Sequence, residues 1–293
     1  MPDPLPASPQ SVVDLHLHTF YSDGRSSPEE LLRAAHQRGL KIIAITDHDN
    51  TRGSRQARPL ARELGLELIP AIEFTCCWDV QVDGYLERQD VDLLGYGMDL
   101  DSPALQAMES ASLFDIYQRI DSCARRLTSR GYPISMHEVF LENPRYVGIL
   151  QLGQVLLRKG FCPDLRTAID WIDPYWNETV SAYSIRQMVA TIHAAGGVAV
   201  LAHPTAYHFQ QGLMGEEHFA AAQEIGLDGV EIFHFRLDAV AREHFLAIAR
   251  NLHLLVTGGS DEHAWPEGFQ HLGSERIGEE IVEALRARWQ SRP

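Results

Sequence analysis

The sequence contains no long hydrophobic run. No segment of the 293 residues approaches the about 20 consecutive apolar residues that a membrane-spanning helix needs, so we expect no membrane span. Residues 1–10 are polar and rich in proline, and they lack the basic start and apolar stretch that typify a signal peptide. These features favour a cytoplasmic protein that does not bind membranes.

Cysteine is scarce as well. The four cysteines are Cys76, Cys77, Cys123 and Cys162, and none of them has Cys-x-x-Cys spacing. A bridge between the adjacent Cys76 and Cys77 would be difficult to form, because two sulfur atoms need a specific separation of their backbones. We therefore expect buried free thiols, as in a reducing compartment.

Positive charge is the third deficit. Lys and Arg number 25 against 40 Asp and Glu, which gives a formal net charge of −15 at pH 7. Sequence-independent binding of nucleic acid relies on Lys and Arg to neutralise phosphates, so duplex nucleic acid is not an expected partner. A small anionic substrate remains compatible, because bound divalent cations would offset the negative charge locally. The sequence leaves the oligomeric state open.

Short apolar strands alternate with helices over much of the chain. The first predicted strand begins near residue 12, and the six others cover 41–46, 67–72, 91–96, 198–202, 229–233 and 254–257. Such alternation predicts a parallel sheet of the α/β class, and at this length a single barrel with an insertion is expected. Residues 101–182 interrupt the alternation with helical periodicity. We predict a barrel from 11–100 and 183–293, with 101–182 as an inserted, mostly helical cap.

Histidine and carboxylate side chains collect at or just beyond the ends of the predicted strands. In a β/α barrel this end carries the active site. Imidazole and carboxylate are ligands for Zn²⁺, Mn²⁺ and Fe²⁺, and a carboxylate can bridge two ions. A lone histidine is more often structural, and we assign that role to His36, His193, His244 and His253. The predicted metal ligands are His16, His18, Asp23, His48, Glu73, His203, Asp261 and His263.

Five short motifs occur in a fixed order along the chain. They are DLHLH at 14–18, SDG at 22–24, TDHD at 46–49, AHP at 202–204 and GSDEH at 259–263. Together they resemble the motifs of the polymerase and histidinol phosphatase (PHP) family of metal-dependent phosphoesterases. The resemblance implies a distorted, TIM-like (β/α)7 barrel with two or three Mn²⁺, Fe²⁺ or Zn²⁺ ions.

The resemblance also implies how the ligands are shared. One ion would take His16, His18, Glu73 and Asp261. A second ion would share Glu73 and add His203. A third ion would take Asp23, His48 and His263. Members with an inserted helical domain hydrolyse nucleotide 3′-phosphates, cyclic nucleotide phosphates or short oligoribonucleotides, and the resemblance is strongest to these.

The chain departs from that family pattern where substrate would be held. A Gly-Arg-Pro-His-x-Ala-Arg stretch in relatives aligns with GILQLGQ at 148–154, so two arginines and a histidine ligand are replaced. Asp92 and Ala206 stand where relatives have a histidine and an arginine, and whether Asp92 or Gln151 binds metal is left open. Lost guanidinium groups remove bidentate phosphate contacts. The remaining candidates for substrate binding are Arg145, Gln151, Gln154, Tyr207 and Glu231.

The expected reaction is attack of a metal-bridging hydroxide on phosphorus. His203, His263 and Asp261 are the candidate catalytic residues, with His203 or His263 protonating the leaving oxygen. Asp14 and Asp47 are candidates for orienting metal-bound imidazoles. Two alternatives stay open, since fold does not fix the substrate: a metal-dependent amide or ester hydrolase, and a noncatalytic metal-stabilised binding module.

Overall fold

The computed structural model describes residues 12–207, 213–265 and 268–292. Residues 1–11, which include the segment for which the sequence predicts no signal peptide, lie outside this part. The strands are β1 (Val13–Asp14), β2 (Ile42–Ile45), β3 (Glu67–Cys77), β4 (Gln81–Val82), β5 (Tyr85–Leu86), β6 (Asp90–Tyr96), β7 (Val198–Leu201), β8 (Gly229–Phe233) and β9 (Leu255–Gly258). The helices are α1 (Pro28–Gln37), α2 (Arg52–Leu64), α3 (Pro103–Ser129), α4 (Met136–Glu142), α5 (Ile149–Arg158), α6 (Leu165–Trp176), α7 (Ile185–Ala194), α8 (Glu216–Glu224), α9 (Ala239–Leu252) and α10 (Glu279–Gln290), with a 3₁₀ turn at Pro204–Ala206.

Seven strands form one mostly parallel sheet in the order β1-β2-β3-β6-β7-β8-β9. The sheet curls into a half-barrel, and the chain beyond β1 meets the chain beyond β9 at an isolated parallel bridge between Leu17 and Glu262. There the backbone N–H of His18 donates to the Glu262 carbonyl at 3.0 Å. The predicted α/β class and the seven-stranded sheet are confirmed.

Strand β6 runs antiparallel to both of its neighbours, which corrects the prediction of a parallel sheet. Between β3 and β6 the chain forms only the β4-β5 hairpin, without a crossover helix. A parallel pair needs a crossover of a dozen or more residues, usually helical, so this short connection returns the chain in the opposite direction. As a result, Asp92 in the first half of β6 lies beside Thr75, near the end of β3.

Strand β3 extends beyond its predicted end. The sequence places the end of the strand before Glu73, whereas β3 continues to Cys77 because its second half pairs with β6 from Ala71 to Cys77. Glu73 therefore projects from the middle of an 11-residue strand and is 1% exposed.

Local signals in the sequence predict the helix limits well. Ser27 is followed three residues later by Glu30, a spacing that predicts a capping box, and these two residues form one at the start of α1. The sequence predicts a last helix over 279–290, and α10 covers Glu279–Gln290. The sequence predicts a helix over 54–64; α2 begins two residues earlier, at Arg52, and it contains Pro59.

Helices α3 to α6 share a hydrophobic cluster of their own, built around Ile120, Val139, Leu156 and Ile172. Helix α3 begins on the barrel side, where Leu105 belongs to the cluster formed with the sheet. The division of the chain at residues 101 and 182 stays a prediction.

Two further expectations concern the whole chain. All four cysteines are free and buried. Among the residues that the structure describes, no helix has both the length and the apolar character needed to cross a membrane.

Candidate metal centre

Four donor atoms converge at the end of the half-barrel. The Nε2 atom of His16 lies 3.1 Å from Nε2 of His18 and 3.1 Å from Oε2 of Glu73. Oδ1 of Asp261 lies 3.5 Å from Nε2 of His16 and 3.4 Å from Nε2 of His18. Ligands that surround one ion tetrahedrally at about 2.1 Å are about 3.4 Å apart, so the spacing fits a bound cation.

The charges around these donors call for a cation. Burial by itself would lower the pKa of His18, but its contacts with Asp261 and Glu73 raise that pKa to about 10. Burial would likewise raise the pKa of Glu73, yet the nearby His16 and His48 hold it well below its usual value. The carboxylates thus stay ionised and favour positive charge between them, which a divalent ion supplies.

A close approach of two chain segments brings His16 and Asp261 together. The Asp14 carboxylate accepts from the backbone N–H groups of Ser260 at 2.9 Å and Gly273 at 2.8 Å, which ties β1 to the chain after β9. A Cβ atom on Gly259 would lie 2.3 Å from Cβ of His16, so this contact requires glycine. Asp14 therefore holds backbone and does not orient an imidazole ring, contrary to the prediction.

Glu73 connects the first group of donors to a second. Its Oε2 atom faces His16 and His18, while its Oε1 atom lies 3.2 Å from Nε2 of His203. Oδ2 of Asp92 lies 4.0 Å from the same His203 nitrogen. Glu73 therefore presents one carboxylate oxygen to each of two groups of donors, and a carboxylate in such a position can bridge two ions.

Asp92 is held in place for this second group. Its Oδ1 accepts from the Thr75 hydroxyl at 2.9 Å, and its backbone N–H donates to the Tyr207 hydroxyl at 2.7 Å. The Tyr207 hydroxyl also lies 3.3 Å from Nδ1 of His203. Because Tyr207 is only 5% exposed, these contacts favour a role in orienting His203; its predicted contact with substrate stays a prediction.

A third group of donors surrounds Asp23. Nε2 of His263 lies 3.2 Å from Oδ1 of Asp23, and Nδ1 of His18 lies 3.5 Å from the same oxygen. Nε2 of His48 is 3.8 Å from Oδ2 of Asp23. The structure therefore brings the predicted metal-ligand residues together in three adjacent groups. The first and second groups share Glu73, and the first and third share His18.

Glu231 lies behind the first group of donors. Its Oε1 is 2.9 Å from Nδ1 of His16, and its Oε2 accepts from the backbone N–H of His203 at 3.0 Å. The side chain is fully buried. The Glu231 carboxylate is therefore placed to orient His16 and to fix the backbone at His203, and its predicted contact with substrate stays a prediction.

Asp47 contacts the metal-ligand residues only through other side chains. It accepts from the backbone N–H and hydroxyl of Thr19 and from the Ser22 hydroxyl at 3.0 Å, and that hydroxyl lies 3.2 Å from Nδ1 of His18. Its predicted contact with an imidazole is therefore made through Ser22.

His234 is a residue of the centre that the sequence reasoning missed. Its Nε2 lies 3.4 Å from Oδ2 of Asp261, and its side chain is fully buried. Nδ1 accepts from the backbone N–H of Arg236 at 3.2 Å. The signal was present, because His234 directly follows strand β8, at the same end of the sheet as the other donors.

Two cavities open beside Asp23. One, of about 190 Å³, is lined by His48, Asp92, Tyr146 and Trp176 among others. The other, of about 290 Å³, has a different lining. It brings together three of the predicted substrate-binding residues with one that was not predicted: Arg145, Gln151, Gln154 and Arg25.

Comparisons with known proteins agree with this geometry. The model of the PHP domain family matches residues 14–282. A 3′,5′-nucleoside bisphosphate phosphatase from Chromobacterium violaceum is 29% identical over 269 residues, covering 89% of this chain and 90% of the relative. The 5′-3′ exoribonuclease Rnm of Escherichia coli is 28% identical over 262 residues, covering 86% of this chain and 85% of the relative.

A solved structure has a similar fold. A protein from Bifidobacterium adolescentis, described as a metal-dependent phosphoesterase, superposes with a TM-score of 0.81 at 29% identity. The match covers 96% of this chain and 97% of that chain. The similarity therefore extends through the helical segment as well as the half-barrel.

Proposed function

Because the chain belongs to the PHP domain family, we propose that its metal centre hydrolyses the phosphoester of a small, nucleotide-like anion. Metal-dependent phosphoester hydrolysis is the activity of this family, and a small substrate agrees with the net charge of −15. One observation carries the proposal. The two oxygens of the buried Glu73 face two separate sets of donors, an arrangement suited to a pair of ions acting on one phosphoryl group.

The ligand assignment that we propose follows the distances. The first ion is held by His16, His18, Glu73 and Asp261. The second shares Glu73 and adds His203, with Asp92 completing it. The third group, around Asp23, has the donors for a further ion. Mn²⁺, Fe²⁺ and Zn²⁺ all accept mixed imidazole and carboxylate ligands, so the centre fits two or three of these ions.

Bound ions would lower the pKa of a coordinated water and offset charge on the phosphoryl oxygens. The side chains of the protein fix where this happens. Asp261 is aligned by His234 on one oxygen and by the first group of donors on the other. With two ions bound and the Asp23 group free of metal, His263 is the more exposed of the two candidate acids, at 24% against 10% for His203, and is better placed to hold a proton at the leaving oxygen.

Helices α3 to α6 would serve as the cap, with 101–182 inserted between the two parts of the barrel. Residues from this segment line both cavities: Tyr146, Gly148 and Trp176 in one, and Arg145 and Gln154 in the other. The opposite walls come from strands β3 and β6 and from loops of the barrel. The cap would therefore select the substrate, while the barrel carries the hydrolytic groups.

Substitution of the first ligand tests the proposal. His16→Ala should reduce the bound metal, measured by elemental analysis, and abolish hydrolysis of 4-nitrophenyl phosphate with added Mn²⁺, because His16 faces both Glu73 and Asp261. His36→Ala is the matched control, since His36 is exposed on α1 and has no part in the centre.

Parallel assays with phosphomonoesters, cyclic phosphodiesters and acyl esters or amides separate the alternatives. Turnover of acyl substrates alone would replace phosphoester chemistry with the amide or ester hydrolase. A protein that binds less than about one transition ion and hydrolyses none of these compounds would not be a metal-dependent hydrolase, whereas bound ions without any hydrolysis would indicate the noncatalytic, metal-stabilised binding module.

A further inference from the structure

The cavity of about 190 Å³ beside Asp23 has one wall of metal-binding side chains and one apolar wall. We call it the Trp176 cavity. Its first wall holds Asp23 and His48 of the third group of donors and Asp92 of the second. The cavity of about 290 Å³, in contrast, shares only Asp23 with the three groups. A phosphoryl group held at the metal centre would therefore adjoin the Trp176 cavity, and the group attached to it would extend inside.

The opposite wall comes from the helical segment and carries no charge. No Lys or Arg is among the described lining residues of the cavity. The side chains of this wall are aliphatic or aromatic: Ile116, Tyr146, Ile149, Leu150 and Trp176. Because a charged group loses its hydration on entering such surroundings, the wall favours an uncharged ligand.

Two rings of the apolar wall are held in place by other side chains. The Tyr146 ring stacks on the imidazole of His48, with the ring centres 6.5 Å apart and the planes 19° apart, and the residue is 7% exposed. The guanidinium carbon of Arg119 lies 3.6 Å from the centre of the Trp176 ring. Rings that are already fixed lose little conformational entropy when a ligand packs against them, so this surface is preorganised.

Asp90 is a lining carboxylate outside the three groups of donors, and it is already paired. It contacts the Arg119 guanidinium and accepts from the backbone N–H of Ser181 at 2.7 Å. Its charge is thus balanced within the protein and does not call for a cationic ligand. An anionic group in the cavity would lie beside this carboxylate with no lining cation to offset its charge, so the cavity excludes a second anionic group.

The volume limits what can enter. Pockets for drug-sized ligands measure about 300–1,000 Å³, so a cavity of about 190 Å³ suits a group with a single ring. Gly148 preserves this space, because a Cβ atom there would lie 2.8 Å from a ring carbon of Tyr146 and 3.1 Å from Oε1 of Gln151. Any side chain at this position would displace the Tyr146 ring.

We propose that the Trp176 cavity binds the leaving group of the substrate and selects a single uncharged ring. This inference rests on the proposed function and assigns the substrate class as phosphomonoesters whose alcohol carries one uncharged ring and no second charged group. In their hydrolysis, the oxygen of water bonds to phosphorus, the ester P–O bond breaks, and a proton goes to the leaving oxygen. The products are inorganic phosphate and an uncharged alcohol. Tyr146, Ile149 and Trp176 are the residues that determine this specificity.

The test compares two esters that differ by one remote charge. Benzyl phosphate and 4-carboxybenzyl phosphate have the same scissile bond, and both are assayed with Mn²⁺. The wild type should have a kcat/KM at least about 10-fold higher for benzyl phosphate, because the carboxylate would be buried without a partner. Ile149→Arg should remove or reverse this preference, since it adds a forked cation to the apolar wall.

Two further variants isolate the cavity. Gln118→Arg is the matched control, because Gln118 is exposed on α3 and the added charge lies outside the cavity, so the preference should be kept. Trp176→Ala should raise KM for benzyl phosphate about 2- to 10-fold, the range for a lost aromatic contact, and leave KM for methyl phosphate unchanged.

Each outcome decides a separate point. Equal turnover of the two benzyl esters, no advantage of benzyl over methyl phosphate, a preference that survives Ile149→Arg, or higher turnover of adenosine 3′,5′-bisphosphate overturns the assignment of the cavity. A wild type that hydrolyses none of these esters and no 4-nitrophenyl phosphate refutes the proposed function. In that case calorimetry with added Mn²⁺ still decides the cavity. Benzylphosphonate should bind more tightly than methylphosphonate, and equal dissociation constants or no binding of either would overturn the assignment.

Discussion

Glu231 provides the sharpest test of how the metal centre is held. Its carboxylate accepts from two buried N–H groups, Nδ1–H of His16 at 2.9 Å and the backbone N–H of His203 at 3.0 Å. Glu231→Gln preserves the size of the side chain but replaces one acceptor with an NH₂ donor. The glutamine can then satisfy only one of the two N–H groups.

The magnitude follows from that mismatch. A buried donor left without an acceptor costs about 1–3 kcal/mol, and Glu231 and His16 are both fully buried. If the loss falls on His16, the first ion is held by a less basic and less well oriented imidazole, and loss of such an orienting partner weakens metal binding about 10- to 100-fold. The same loss corresponds to about 1.4–2.7 kcal/mol.

The assay is calorimetric titration of metal-free protein with Mn²⁺, with the thermal midpoint of the metal-free protein measured in parallel. Glu224→Gln serves as the control, because Glu224 is exposed at the end of α8. We expect Glu231→Gln to bind the tightest ion at least about 10-fold more weakly than the control. Wild-type affinity for every ion, with or without a lowered midpoint, would refute the orienting role and leave Glu231 as a structural residue only.

Two further predictions concern the second ion and stability in acid. Asp92→His should shift the selectivity of the metal-free protein from Mn²⁺ towards Zn²⁺, because it exchanges an oxygen for a nitrogen ligand near His203. The assay is competition between the two ions followed by elemental analysis, and an unchanged metal ratio would remove Asp92 from the ligand set. Burial would raise the pKa of Asp228, but the His193 ring, the Ala199 N–H and Arg292 hold it below its usual value. The ionised Asp228 therefore stabilises the fold at pH values above its pKa in the unfolded chain, near 4, and this stabilisation is lost as the pH falls through its pKa in the folded protein. Asp228→Asn should therefore lower the free energy of unfolding by about 2 kcal/mol at pH 7 and by less at pH 3, as measured by urea denaturation, and an equal loss at both pH values would contradict this linkage.

Local features of the chain were readable from the sequence. The Ser27 capping box set the start of α1, and the apolar run 198–202 predicted β7 to within one residue. Capping and periodicity act within a few residues, so they leave their mark in short segments. The same holds for the spacing of His16 and His18, which alone places two imidazoles on one side of an extended chain.

Features that depend on distant segments were misjudged. The direction of β6 depends on the length of a connection and on which strand it meets, and both the extended β3 and the position of Asp92 follow from it. Glu231 contacts His16, 215 positions away in the sequence, and Asp14 contacts Gly273, 259 positions away, so the sequence could offer only a list of candidate carboxylates.

The sequence by itself determined the chemical inventory of this protein: donors at strand ends, motifs of the PHP family, and too little positive charge for a long polyanion. Tertiary structure alone decided how that inventory is used. It gave the two oxygens of Glu73 to different donor sets, placed Glu231 behind His16, and brought Arg25 and Arg145, 120 positions apart, to one cavity. The reason is physical, since donor types are properties of single residues, whereas distances of 3 Å between them exist only after the sheet has curled and its ends have met.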